Sequence, residues 1–248
     1  MTTDTPDPAP LAGLIVLDKP YRKSSTSMVS LVKGRVRAGG APKRVKVGHA
    51  GTLDPLASGV LVIMVGKATK LSARVMDGVK HYDATIDLAN TSDTDDLEGT
   101  LTPVSVPSPP TVETIRAVLD EQFTGVIQQV PPAHSAMKVG GKRAYHLARA
   151  DADVTLEPRP VRIDAITIER YAFPELVIGV TCGKGTYIRS LARDIGRALG
   201  AGGTLTALRR TRVGPFLIED AVTPEDLPRA ITQDDLTVTP EVRALVSK

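Results

Sequence analysis

Apolar and polar positions follow two different periods along this chain, and the switches between them mark its elements. Gly13 to Leu17 is a short apolar run that predicts a strand ending in Asp18-Lys19-Pro20. Ser24, Ser25 and Thr26 then offer N-caps for a helix carrying Met28, Val29, Leu31 and Val32, which Ala38-Gly39-Gly40-Ala41-Pro42 ends. The run Val60-Leu61-Val62-Ile63-Met64-Val65 reads as a buried strand, and Lys67 to Met76 as a short helix stopped by Asp77-Gly78. From Lys80 the period becomes two. Tyr82, Ala84, Ile86 and Leu88 point one way and His81, Asp83, Thr85 and Asp87 the other, the pattern of a half-buried strand.

Pro103 to Pro110 is a Pro/Ser linker, after which Thr111 caps a helix with the stripe Val112, Ile115, Val118, Leu119 and Phe123. Gln128 to Gly141 is a Pro/Gly-rich loop and Lys142 to Ala150 a short basic helix, together an exposed lobe. Val161 to Ile168 and Leu176 to Cys182 predict two strands. Gly183-Lys184-Gly185-Thr186 then turns into a helix with Ile188, Leu191, Ala192, Ile195 and Leu199 on one face, stopped at Gly200. Thr204 to Val213 predicts a final strand. Strand neighbours late in the chain are hairpin-like, so an α+β architecture with a mixed, largely antiparallel central sheet flanked by helices fits better than a regular βαβ alternation.

Composition bounds the rest. The chain has 248 residues, 42% apolar and 24% charged, enough for a real core in one large domain or two small ones. No apolar run is long enough to cross a bilayer. Residues 1–10 are polar, acidic and Pro-rich, with neither basic n-region nor apolar h-region, and read as a disordered tail. The single cysteine, Cys182, makes no internal disulfide and no thiolate metal site, which points to the reducing cytoplasm.

A net charge of only +3 hides clustering. Lys33, Arg35, Arg37, Lys43, Arg44 and Lys46 form one basic group, Lys138, Lys142 and Arg143 a second, and Arg209, Arg210 and Arg212 a third. Acidic residues concentrate around Asp93 to Glu98 and Pro224 to Asp235. Such segregation fits either a basic face for a polyanion or three unrelated solvated faces. No Trp, three Phe and five Tyr argue against a platform that stacks many successive bases; a nucleic acid would be read by backbone and shape, with one or two bases handled individually.

Most common chemistries fail on spacing. Gly179 to Thr186 misses the phosphate-loop pattern by one residue, leaving a Gly turn into a helix N-terminus that can hold an anion or aim Tyr187 and Arg189. Asp93 to Gly99 lacks the glycine position and terminal glutamate of a calcium loop and reads as an acidic turn. His49, His81, His134 and His146 have no metal spacing, and no nucleophile elbow exists. What remains is His49-Ala-Gly-Thr-Leu-Asp54-Pro-Leu-Ala-Ser-Gly59, a lone carboxylate at the lip of a buried strand. Asp54 is there either as a turn residue capping amides or as a reagent. The chemistry that fits needs one carboxylate and neither cofactor nor metal.

These residues resemble a known family. Leu17-Asp-Lys-Pro20, Gly48 to Gly59, Lys80-x-Tyr82, Pro131-x-x-x-Ser-Ala-Met-Lys138, Gly141-Lys-x-x-Tyr145, Cys182-x-Lys-Gly-Thr-Tyr-Ile-Arg189 and Leu208-Arg-Arg210 are similar, in order, to the TruB family of tRNA pseudouridine synthases. The resemblance runs from about Gly13 to Gly214. It implies isomerisation of uridine 55 in the T-loop of tRNA to pseudouridine, with the target base flipped out of its stack. It also implies roles. Asp54 is the catalytic carboxylate, acting on the ribose C1′ directly or through an elimination product; Arg189 pairs with it; Tyr82 stacks on the uracil. Tyr187 and Leu208 line the pocket, His49 fills the gap left in the T-loop, and Lys19 supports the pocket floor or makes a structural ion pair. Lys138, Lys142, Arg143, Arg209 and Arg210 are expected on the RNA backbone.

The expected organisation is a tail at 1–10, a catalytic domain at 11–219 with an inserted RNA-gripping lobe at about 124–152, and a short segment at 220–248 without a full PUA-type module. We expect a monomer whose partner is the tRNA T-arm stem-loop, with no membrane association. Two other readings share these features: a tRNA-folding chaperone, and a guide-RNA-dependent synthase. Three positions depart from the family: Arg22 stands where Gly is usual, and Ala89 and Ser92 replace a Gly and a Thr after the Tyr82 strand.

Overall fold

The computed structural model describes residues 11–132, 138–139, 142–143 and 156–246. The expected tail at 1–10 and much of the expected lobe lie outside the described residues. Along the chain the elements are β1 (Ala12–Lys19), α1 (Ser25–Ala38), β2 (Val47–Ala50), β3 (Ala57–Gly66), α2 (Ser72–Asp77), β4 (Lys80–Asp87), β5 (Asn90–Ser92), β6 (Leu101–Pro103), α3 (Val112–Gln122) and β7 (Gly125–Gln129). There follow β8 (Lys138–Val139), β9 (Lys142–Arg143), β10 (Arg159–Ala172), β11 (Glu175–Cys182), α4 (Ile188–Ala198), β12 (Thr204–Val213), β13 (Phe216–Leu217) and α5 (Pro240–Val246). They fall into two compact units, one made of residues 1–78 with 212–248 and the other of residues 79–211.

In the first unit β3 lies between two antiparallel neighbours. It pairs with β1 from Ala12↔Gly66 to Lys19↔Gly59 and with β2 from Val47↔Val65 to Ala50↔Val62. Val60 to Val65 are all buried, so both faces of β3 are covered and the strand has no polar side to show. Ala12, Leu14, Val16, Val60, Val62 and Met64 bury against Ala50, Ala68, Val213 and Val242. Helix α1 starts where the sequence offers caps. The Ser24 hydroxyl accepts from the Ser27 amide, and Met28, Val32 and Val36 form the buried stripe at four-residue spacing.

The segment after Asp220 is not a separate appendage. The Leu14 amide donates to the Thr237 carbonyl and the Thr237 amide returns the bond, each at 2.9 Å. Val222 does the same around β1 through Asp18 N–H and the Val16 carbonyl. The last segment supplies backbone partners along the otherwise free edge of β1 and belongs to the first compact unit.

The second unit carries the antiparallel order β4–β11–β10–β7. Residues 204–211 of β12 run along β4, where the Thr206 hydroxyl donates to the Thr85 carbonyl and the Thr211 hydroxyl to the His81 carbonyl. Burial along β4 alternates as its period-two pattern predicts. Helix α3, capped by Thr111, buries Ile115 and Leu119, while α4 buries Leu191, Ala192 and Ile195. Three details differ from the expectation. Gln128 and Gln129, expected in a loop, end the strand Gly125–Gln129, the turn at Lys67–Leu71 is 3-10 before α2 begins, and Lys142–Arg143 is a strand pairing with Lys138–Val139. Period-based reading misses such strands because two to five residues carry too little pattern.

Candidate active-site residues and their surroundings

Asp54 is half-buried in the loop that enters β3, and the backbone on both sides of it is pinned. Before it, the buried Ser25 hydroxyl donates to the Leu53 carbonyl and accepts from the Leu53 amide, both at 2.9 Å. After it, the Pro55 carbonyl accepts from the Arg22 amide at 2.8 Å and from Lys19 Nζ at 3.5 Å. Lys19 has no solvent exposure, and its ammonium also donates to the carbonyls of Pro20 at 3.0 Å and Lys23 at 2.6 Å. Those bonds tie the end of β1 to the Asp54 loop. His49 is half-buried on β2 opposite Ile63.

Arg22 adopts φ 63°, in the left-handed region. A Cβ in that conformation costs about 1–2 kcal/mol, which a Gly would avoid. Arg22 recovers a little by lying 5.5 Å from the Tyr21 ring. Arg22→Gly is therefore expected to stabilise the chain by about 0.5–1 kcal/mol, read as a higher midpoint in thermal or urea unfolding. A lower midpoint would mean that the side chain does more than stack. Ala89 lacks a positive φ, and the Ser92 hydroxyl donates to the Asp96 carbonyl at 2.6 Å, so these two departures leave the turn intact.

In the second unit Tyr82 is 8% exposed on β4, opposite Val180, with the buried Lys80 two residues earlier on the same face. Leu208 is half-buried on the neighbouring strand β12. Arg210 is only 2% exposed. It lies on the same side of the strand as Leu208, two residues earlier. Arg209, one residue earlier, is half-buried. Lys138, Lys142 and Arg143 lie in the short β8–β9 ribbon, and their side chains lie outside the described set.

Tyr187 and Arg189 sit at the start of α4, where the Gly turn was expected to aim them. The buried Gln129 amide holds Tyr187 from both sides, accepting from its N–H at 2.8 Å and donating to its carbonyl at 3.1 Å. The Arg159 guanidinium lies over the Tyr187 ring at 5.0 Å and donates to the Gly185 carbonyl at 2.6 Å. Arg189 is buried, with Nη1 at 3.5 Å from the equally buried Asp96 and 3.3 Å from the Thr94 carbonyl. One helical turn later Arg193 takes the adjacent Asp95 at 2.9 Å and donates to the Val130 carbonyl.

The acidic turn is therefore the seat of the α4 arginines. Sequence reading found the turn and missed this partnership, although two adjacent acids facing two arginines at i and i+4 was the available signal. Burial raises the Asp95 carboxyl above its ordinary value, outweighing Arg193 and Arg189, which pull it down. Cys182 is buried, its thiol pushed up to about 11 by burial, which leaves no thiolate for nucleophilic work at neutral pH. Among the described residues no cluster of three His, Cys, Asp or Glu groups is arranged for a metal, and no helix is long and apolar enough to cross a membrane.

Residues 40–188 match the model of the TruB family pseudouridylate synthase N-terminal domain, and residues 189–247 that of the tRNA pseudouridylate synthase B C-terminal domain. The chain belongs to the TruB family. A Bartonella quintana relative named tRNA pseudouridine synthase B is 46% identical over 230 residues, covering 92% of this chain and 82% of the relative. A Rhodopseudomonas palustris protein of the same name is 50% identical over 216 residues, covering 87% of this chain; the chain spans 57% of that longer relative. The crystal structure of a Cbf5-Nop10-Gar1 complex contains a chain that superposes with a TM-score of 0.66 at 31% identity, covering 87% of this chain and 53% of that one. The α+β fold is thus that of a TruB-family synthase.

Proposed function

We propose that this chain is a tRNA pseudouridine synthase that isomerises uridine 55 in the T-arm stem-loop of tRNA. The observation that carries the reading is the family match across both domain models, together with identity near half to relatives named for this activity. Identity to the chain of the Cbf5-Nop10-Gar1 complex is lower, at 31%, which favours the stand-alone reading over the guide-RNA-dependent one.

The reaction breaks the N1–C1′ bond, turns the uracil and forms C5–C1′. N1 gains a proton and C5 loses one, so no redox change is needed. In this reading Asp54 is the carboxylate that acts at C1′, and its pinned backbone limits the directions its side chain takes. Arg189 is its guanidinium partner. Tyr82 stacks on the extruded uracil, with Tyr187 and Leu208 lining the pocket and His49 replacing the flipped base in the T-loop. Lys138, Lys142, Arg143 and Arg209 contact phosphates and make affinity fall with salt. The chain acts as a monomer in the cytoplasm.

Tritium release from C5-labelled uridine in a T-arm hairpin, with no other protein present, tests this. The expected result is release from position 55 alone. Tight binding without release would support a chaperone, and release only on adding guide RNA and partner proteins would support the guided reading.

A further inference from the structure

We infer that Ser25 is a positioning residue for the reaction, setting the direction in which Asp54 leaves the backbone; this rests on the proposed catalytic role of Asp54. Three observations carry it. First, Ser24 takes the N-cap of α1 by accepting from the Ser27 amide, so the cap does not need Ser25. Second, Ser25 is 3% exposed, and its hydroxyl is spent on one residue, donating to the carbonyl and accepting from the amide of Leu53. Third, Leu53 immediately precedes Asp54, and its own side chain is buried.

A hydroxyl bonded to both backbone groups of one residue fixes the plane of the peptide on each side of it. The peptide following Leu53 is the one that leads into Asp54. Turning that peptide swings the Asp54 Cα–Cβ vector, while the Pro55 carbonyl stays anchored by Arg22 and Lys19. Ser25 therefore acts through geometry and touches no substrate. Its removal leaves a buried amide and a buried carbonyl without their shared partner, and these find new ones only if the loop shifts.

The test compares Ser25→Ala with Val32→Ala, a cavity in the fully buried stripe of α1 remote in sequence from Asp54. Both are expected to lower the unfolding midpoint. Only Ser25→Ala is expected to slow single-turnover pseudouridine formation, by about 10–100-fold, with the Kd for the T-arm hairpin within about twofold of wild type. Faster amide exchange at Leu53 in Ser25→Ala is the matching structural readout. A wild-type rate in Ser25→Ala, or an equal loss of rate in Val32→Ala at matched midpoint, overturns the inference. If the wild-type chain itself makes no pseudouridine, the proposed function falls, and the inference with it.

Discussion

In the Asp54→Asn variant, pseudouridine formation on a T-arm hairpin is expected to fall by at least about a thousandfold, with RNA affinity close to that of wild type. The substitution keeps the shape of the side chain and removes its charge. It also keeps the bonds of this loop that run to backbone groups. The Leu53 amide and carbonyl go to Ser25, the Pro55 carbonyl to Arg22 and Lys19, and the Asp54 carbonyl accepts from the Ala57 amide at 3.1 Å. None of these needs a carboxylate. A large loss of rate reports chemistry and not folding where circular dichroism and the unfolding midpoint match wild type. Binding should survive because affinity rests on phosphate contacts elsewhere. Turnover within tenfold of wild type would remove Asp54 from the mechanism, and with it the reading of the whole loop.

The loop itself was legible because its composition is odd: one acid among Gly, Pro and small residues, directly before a strand with no polar position. The elements were legible for a similar reason. The period-two run from Lys80 and the stripes of α1, α3 and α4 each repeat often enough to rise above chance. What the pattern does not carry is pairing at a distance. Nothing in residues 220–246 announces that Val222 and Thr237 complete the edge of β1, since those are backbone bonds and any side chain permits them. Arg210 looked like a surface cation because it follows Arg209, yet neighbouring residues on a strand face opposite ways. Ser25 looked like one of three interchangeable caps. Only the fold shows that Ser24 caps and Ser25 is committed to Leu53. Arg22 is the reverse case: the departure from glycine was visible at once, and its meaning came from a φ of 63°.

Arg189 gives the second large effect, and it needs two readouts, because this residue is expected to serve both stability and chemistry. Its guanidinium and the Asp96 carboxylate are both buried, 3.5 Å apart. Arg189→Met leaves that carboxylate without its cation, which is expected to destabilise the chain by about 3 kcal/mol and to abolish activity. Loss of activity alone would then be ambiguous. Asp96→Asn resolves it when added to the same chain. The Oδ1 atom of Asp96 already accepts from the Thr94 hydroxyl at 2.7 Å and the Glu98 amide at 2.9 Å, and an asparagine oxygen keeps both bonds. The double variant removes the buried Asp96 charge together with its cation, so the part of the lost stability that this pair accounts for should return. Activity should not return if the guanidinium works on the reaction itself. Arg189→Lys sharpens the comparison: it keeps the charge, but its shorter side chain does not carry the ammonium to the position of Nη1, the nitrogen that lies near both the Thr94 carbonyl and Asp96. It is expected to stay folded and turn over slowly. Recovery of stability and rate together in the double variant would make Arg189 a structural residue, and would leave Asp54 to be oriented by something else.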